Sequence, residues 1–206
     1  MSSTKVTLSP KELELVNDTG WILTKNAVIA KVYTLFGQLS EVYGIELEKH
    51  PQLLEHEAGF RSPKIAKGEQ YEGLPWVMLD HPRCFTGTDT FAIRSFFWWG
   101  NCCSITLQLS GSFQEKYAKT IQQYFDSGNG SRKDWYIGVG NDPWQHHFTE
   151  SNYQLLKEYK GNPFTVLPFI KLAKKIPLHN WDALPVFFEE NYREILRMLE
   201  GPSNKF

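Results

Sequence analysis

The feature that most constrains the fold is a pair of alternating segments at residues 90–99 and 102–109, joined by Gly100-Asn101. Successive side chains of a β-strand point to opposite faces, and this dipeptide is typical of a hairpin turn. The first segment is largely apolar on both faces, so the pattern predicts a hairpin within a sheet that is covered on both sides. One predicted face of the first segment carries Phe91, Ile93, Ser95, Phe97 and Trp99, and the other carries Ala92, Arg94, Phe96 and Trp98. The second segment places Cys103, Ile105, Leu107 and Leu109 opposite Ser104, Thr106 and Gln108.

Helix signals occur before, after and well beyond this hairpin. Ser9-Pro10-Lys11-Glu12 is a capping box with Pro at the first helical position, and helical spacing continues to Gly44 with a break near residues 18–20. Ser112-Phe113-Gln114-Glu115 is a second capping box that predicts a middle helix. Asp182 is the predicted N-cap of a C-terminal helix that Gly201-Pro202 ends.

The remaining elements are shorter. Residues 76–79, 135–139 and 164–170 are predicted strands, residues 150–160 a short helix, and residues 50–73 a long polar loop. Pro82 closes the first of these strands in this interpretation, and Pro168 places the last at a sheet edge. The order of elements predicts an α+β fold, in which an antiparallel sheet of about five strands is covered by the N-terminal, middle and C-terminal helices.

The composition favours one ordinary globular domain spanning residues 1–206. Of the 206 residues, 41% are hydrophobic and 22% charged, so the chain has enough apolar surface to form a core without disulfide bonds or structural metal ions. No repeat or linker interrupts the chain. The formal charge of −1 gives no attraction to nucleic acid, and no apolar stretch predicts a membrane helix. Three cysteines and a polar start predict a cytoplasmic location.

The common enzyme signatures are missing from the sequence. Gly138-Val139-Gly140 follows a predicted strand, but Pro143 stands where a dinucleotide-binding loop needs its third glycine. The chain also has no phosphate-binding Gly-Lys-Ser or Gly-Lys-Thr and no Gly-x-Ser-x-Gly nucleophile turn. The sequence therefore indicates no particular cofactor.

Arg94 is the main candidate for a ligand-binding residue, because an arginine within an apolar strand needs a carboxylate or an anionic ligand. Polar residues flank the neighbouring predicted strand and extend the candidate binding site. The full set is Lys67, Glu69, Tyr71, Arg83, Arg94 and Trp98. The alternative is structural: Arg94 pairs with Asp80, Glu69 or another acid, or its stem covers Trp98.

A second candidate chemistry is hydrolysis. Adjacent Asp80 and His81 offer an acid and a base, and His146 or His147 offers an imidazole ligand for a metal ion. Neighbouring residues on a strand point to opposite faces, so both histidines are not expected to bind one metal. Spacing alone identifies no third ligand.

The leading hypothesis is a non-catalytic cytoplasmic domain that binds a small anionic or aromatic ligand, or its own copy, through the sheet face around Arg94 and Trp98. The hydrolase is the alternative. A homodimer is expected because the second apolar face of the hairpin needs a cover, which a two-fold-related copy can provide.

Overall fold

The computed structural model describes residues 6–53, 60–128 and 130–201. Within these residues the fold comprises five α-helices, two short 3-10 helices and one antiparallel sheet of seven strands. The predicted α+β class is confirmed, with seven strands rather than about five. Of the predicted loop at residues 50–73, positions 54–59 lie outside the described residues.

The elements are numbered here in chain order. The helices are α1 (Pro10–Asn17), α2 (Thr19–Glu48), α3 (Ser112–Asp126), α4 (Pro163–Val166) and α5 (Leu184–Glu200), with 3-10 helices at Pro51–Leu53 and Leu178–Ala183. The strands are β1 (Lys64–Tyr71), β2 (Leu74–Thr86), β3 (Asp89–Trp98), β4 (Cys102–Ser110), β5 (Tyr136–Gly138), β6 (Tyr153–Leu155) and β7 (Ile170–Pro177).

The sheet has the order β1-β2-β3-β4-β7-β5-β6, so the predicted hairpin of β3 and β4 lies at its centre. Ile93 pairs with Leu107 and Arg94 with Thr106, so the apolar Ile93 and Leu107 share a face as the alternation predicts. A two-residue turn at Gly100-Asn101 would instead pair Ile93 with Gln108; this part of the prediction is wrong, because β3 ends at Trp98 and Trp99 belongs to the turn. Gly100 has a φ of 72° in the turn, a left-handed conformation that glycine adopts without a steric penalty.

One face of the sheet, called the helix face, is covered by α2, α3 and α5. Phe36 of α2 and Phe188 of α5 meet edge to face at 5.6 Å, while the rings of Tyr43 and Tyr192 stack at 3.7 Å. The Tyr43 hydroxyl hydrogen-bonds Ser95 Oγ at 2.9 Å. This side of β3 is therefore buried by nonpolar packing with a single buried hydroxyl pair at its centre.

The opposite face is covered by residues 139–152, an irregular segment between β5 and β6 that is called the strap. Trp144 of the strap lies 5.7 Å from the ring of Phe85 on β2, and His146 lies 5.0 Å from Phe96 on β3. Phe96 and Trp98 are consequently buried by the chain itself. The strap supplies the cover that the two-sided apolar pattern requires.

Several elements differ from their sequence predictions. Strand β1 lies within the predicted loop, and β2 runs through Pro82 with an irregularity in its pairing between Asp80 and Arg83. The predicted helix at residues 150–160 is wrong, because this range contains β6. The predicted strand at residues 164–170 is also wrong: α4 begins there, and the strand that follows is the interior β7.

Of the three helix N-caps predicted from the sequence, only one is confirmed by the structure. Ser9 and Glu12 form the predicted capping box of α1. In α3 the N-cap is Gly111 without a side-chain cap, because Ser112 bonds instead to the Asp89 carboxylate. In α5 the N-cap is Ala183, also without a side-chain cap, while Asp182 lies in the preceding 3-10 helix.

Among the described residues, no helix combines the length and the apolar character needed to cross a bilayer.

The packing between α2 and α5 predicts a large loss of stability on truncation of Phe188. Its side chain is fully buried, so Phe188→Ala is expected to lower the free energy of unfolding by about 3–5 kcal/mol. Val186→Ala on the same helix is the control, because Val186 is 57% exposed and its truncation should change stability by no more than about 0.5 kcal/mol. Urea denaturation measures both, and equal losses would contradict this account of the core.

Candidate functional site

A buried ion pair lies at the centre of the strap face. Asp80 on β2 and Arg94 on β3 are directly opposite in register, and the guanidinium donates from Nε to Oδ1 at 2.6 Å and from Nη2 to Oδ2 at 2.8 Å. The two side chains are only 3% and 7% exposed. The alternative considered above, in which Arg94 pairs with Asp80, is therefore the arrangement that the structure contains.

His146 adds a third hydrogen bond to this pair. Arg94 Nη1 donates to His146 Nε2 at 2.8 Å, and because a guanidinium has no acceptor, the imidazole nitrogen must accept. Burial holds the pKa of His146 well below its usual value, and the nearby Arg94 and Lys171 charges lower it further. His146 is thus a neutral ring that ties the strap to β3.

Tyr71 at the end of β1 anchors the same part of the strap. Its hydroxyl accepts from the backbone N–H groups of His146 at 2.5 Å and His147 at 3.1 Å, and it contacts His147 Nδ1 at 3.0 Å. Burial raises the Tyr71 pKa, so the phenol keeps its proton for the ring nitrogen. The indole of Trp98 donates to the Tyr71 carbonyl at 3.2 Å, which connects this anchor to β3.

Lys171 on β7 is a second buried cation under the strap. Its Nζ donates to the Gln145 carbonyl and lies 4.8 Å from the ring centre of Tyr153. Its alkyl stem occupies the space above Gly138, where an added Cβ would come within 3.0 Å of it. Burial lowers the Lys171 pKa to about 7, although the nearby negative charge of Asp142 raises this pKa to a smaller extent.

Gln108 adds an unsatisfied donor to this region. It is opposite Lys171 in register and 2% exposed, and its Nε2 has no hydrogen-bond partner among the described residues. Asn152, by contrast, donates from Nδ2 to the carbonyls of Gln145 at 3.1 Å and His147 at 2.6 Å. The strap face consequently contains a buried polar network beside the apolar side chains of Phe96 and Trp98.

The predicted acid and base are not brought together. His81 follows Asp80 on β2 but faces the helix side, 6.3 Å from the Tyr43 ring, and burial lowers its pKa. Its Nδ1 has no hydrogen-bond partner among the described residues. Asp80 and His81 are thus on opposite faces of the sheet.

The predicted ligand-binding residues divide between several places. Tyr71 and Trp98 lie beside Arg94, as described. Lys67 instead lies 5.5 Å over the Tyr33 ring of α2, and Glu69 pairs with Lys25 on the same helix. Arg83 donates from Nε to the Ser62 carbonyl at 2.8 Å. These last three side chains do not converge on Arg94.

Within the part of the chain that the structure describes, no group of three or more His, Cys, Asp or Glu side chains is arranged to hold a metal ion. His146 Nε2 is occupied by the Arg94 guanidinium, and His147 Nδ1 is occupied by Tyr71. The predicted metal ligands therefore serve as hydrogen-bonding partners in the network.

An open cleft of about 610 Å³ lies where the end of the strap meets the turn end of the β3–β4 hairpin. Trp98, Tyr136 and Phe148 supply aromatic walls, and Lys133 and Lys175 supply positive charge, with Asp134 also in the lining. Lys175 Nζ lies 5.1 Å from the ring centre of Tyr136 and 4.8 Å from that of Phe148.

Of the residues that line this cleft, sequence reasoning placed only Trp98 in the candidate binding site. A signal for them exists: alternation in β7 places Lys171, Ala173 and Lys175 on one side, and aromatic residues occur at Tyr136 and Phe148. What the pattern could not show is that these distant segments meet. Cys102 also lines the cleft, and burial raises its thiol pKa despite the opposing charge of Lys175, so the thiol is not activated as a nucleophile.

Comparison with known proteins gives no match to a family model, to a curated protein or to a solved structure.

The central ion pair predicts a strong effect of neutralising one partner. Asp80→Asn leaves the Arg94 charge buried without its carboxylate and is expected to cost about 3–5 kcal/mol of unfolding free energy. Asp126→Asn is the matched control, because the 2.7 Å pair of Asp126 with Arg132 is solvent-exposed and is worth about 0–1 kcal/mol. Chemical denaturation compares the two, and a similar small loss in both variants would show that the buried pair contributes little.

Lys171 predicts a specific pH dependence of stability. The unfolded chain keeps this proton up to about pH 10.4, whereas the folded chain releases it near pH 7. The unfolded state therefore binds more protons between these values, and stability rises with pH by up to about 1.4 kcal/mol per unit from this group.

Lys171→Met should remove that slope, whereas Lys119→Met should retain it, because Lys119 is exposed on α3. Urea denaturation from pH 7 to 10 is the measurement. Parallel pH profiles for wild type and Lys171→Met would contradict the assignment.

Proposed function

We propose that this protein is a non-catalytic binding domain for a small ligand that combines an aromatic ring with an anionic group. The cleft beside the strap is the observation that carries the proposal. Its volume of about 610 Å³ is within the usual range of small-molecule sites, and its lining combines aromatic side chains with a few charged ones.

The charge of the cleft supports an anionic group. No carboxylate of the described residues lies within ion-pair distance of Lys175, although Asp134 also lines the cleft. The Lys175 ammonium lies over two aromatic rings instead, and it remains exposed to solvent. A carboxylate or phosphate would form a charge-assisted hydrogen bond with it.

The aromatic walls support a ring on the same ligand. Phe148 stacks on Tyr153 at 4.5 Å and meets Tyr136 edge to face at 5.1 Å, so its position is set by neighbours on β5 and β6. Rings held in this way form a preorganised surface for offset or edge-to-face contact with a ligand ring. Trp98 adds a third wall on the side of β3.

Arg94 does not act as the ligand anchor in this proposal. Its guanidinium already bonds Asp80 and His146, and its place under the strap leaves the cleft residues as the accessible ones. The hydrolase alternative has less support, since Asp80 and His81 lie on opposite faces and the two strap histidines are engaged in hydrogen bonds.

A cytoplasmic location and a homodimer belong to the same proposal. The location is supported by the adjacent Cys102 and Cys103, which form no disulfide among the described residues, as expected in a reducing compartment. The sheet face first considered for self-association is covered by the strap, so a dimer needs a different surface.

Binding of phenyl phosphate tests the proposed ligand class. Titration followed by the indole N–H signal of Trp98 in NMR spectra should show saturable binding, and both inorganic phosphate and phenol should bind more weakly because each lacks one of the two groups. Lys175→Met should weaken phenyl phosphate binding by about tenfold or more, which is the value of one charge-assisted hydrogen bond.

Lys119→Met is the control for a general loss of positive charge, since Lys119 is an exposed lysine on α3 at the helix face. It should bind phenyl phosphate as the wild type does. Equal affinities of wild type and Lys175→Met, or signal changes that avoid the cleft, would refute the proposed site.

A further inference from the structure

The first part of the chain that the structure describes, residues 6–23, has no packing partner among the described residues. Helix α1 contains no buried residue, and the first buried residue of α2 is Ile29. An isolated helix this short is marginal in water, even with a capping box, so packing on another surface is needed to stabilise it.

This segment exposes many large apolar side chains. Between residues 6 and 23, eight of them have exposures that range from 40% for Ile22 to 91% for Val6. The full set is Val6, Leu8, Leu13, Leu15, Val16, Trp21, Ile22 and Leu23. Soluble monomers rarely expose contiguous apolar patches of this kind.

We propose that a second copy of this chain covers the surface, through a two-fold symmetric dimer in which α1 and the start of α2 pack antiparallel to their counterparts. At on the order of 100 Å² for each exposed side chain, the surface offers roughly 800 Å², about the area that each partner buries in a standard interface. The size of the patch thus matches what a stable dimer needs.

The charge pattern favours self-association over other occupants. Glu12, Glu14 and Asp18 outnumber Lys11 in residues 6–18, whereas residues 19–31 contain Lys25 and Lys31 and no acid. An antiparallel two-fold centred at about residues 22–23 places Glu14 of one copy beside Lys31 of the other and α1 beside residues 28–35 of the partner's α2, and the contact repeats by symmetry. A lipid-binding helix would instead carry a basic polar face.

A groove of about 480 Å³ provides a receptor for the partner helix. It continues along α2 from the exposed segment, and its lining includes Leu35, Trp181 and Pro185 together with the charged residues Lys31 and Asp182. In the antiparallel arrangement, the partner's α1 reaches this groove, so that its apolar side chains contact Leu35 and Trp181 and its glutamates approach Lys31.

Sedimentation velocity of the full chain, from micromolar to near-millimolar concentration, tests the dimer. The expected species has twice the 23.9 kDa mass of one chain. Leu13→Glu and Trp21→Glu should each raise the dimer dissociation constant by about tenfold or more. Val166→Glu is the matched control, because Val166 is 74% exposed on α4 and lies outside the proposed surface.

Charge reversal tests the antiparallel arrangement. Glu14→Lys and Lys31→Glu should each weaken the dimer, and the two together should restore part of the affinity. Because these residues are exposed, circular dichroism and the thermal midpoint of the monomer should not change.

A wild type that stays monomeric throughout, or a dimer insensitive to Leu13→Glu and Trp21→Glu, would overturn the proposal. A monomer that co-sediments with phosphatidylglycerol vesicles would assign the same surface to lipid and overturn it as well. The ligand cleft is on the strap face, so phenyl phosphate binding by Leu13→Glu stays equal to that of wild type whether or not the dimer exists.

Discussion

The ion pair of Asp80 with Arg94 imposes a requirement on everything around it. A buried charge pair is tolerated only when its remaining donors and acceptors are satisfied and water is kept out. The pair uses both carboxylate oxygens and two of the five guanidinium N–H donors, and His146 accepts a third. The strap therefore cannot be an arbitrary loop: it must present an acceptor at this point above β3.

The two faces of the sheet are closed by different kinds of interaction. On the helix face, aromatic and aliphatic side chains of α2 and α5 pack without much directional demand, as Phe36 and Phe188 do. On the strap face, hydrogen bonds that Tyr71 accepts and that Lys171 and Asn152 donate fix the path of an irregular segment. Phe148, at the end of that path, becomes a rigid wall of the cleft because the bonds before it determine where it lies.

Sequence patterns could predict the elements whose periodicity is local. The β3–β4 hairpin was predictable because its period of two is strong on both faces. Strand β1 was missed because its burial pattern is irregular and several of its residues are exposed, including Lys64. Strand β7 was missed because Lys171, Lys174 and Lys175 resemble a solvated cluster. Lys171 is buried and donates to the Gln145 carbonyl, whereas Lys174 is half-buried and forms a 2.6 Å pair with Glu194; both partners are distant in sequence.

The polar composition of the strap face has a consequence for the order of assembly. Strands β1 to β4 form a meander in which neighbouring strands are also neighbours in sequence. The hydrogen bond between Tyr71 and the strap, by contrast, joins residues 75 positions apart. Closing the strap therefore has a larger entropic cost and comes late. Before the strap closes, the strap face of β4 exposes the hydrophilic side chains of Ser104, Thr106 and Gln108. A partly assembled chain therefore hydrates the β4 part of its uncovered side, whereas Phe96 and Trp98 on β3 remain an apolar surface through which nascent sheets can aggregate until the strap closes.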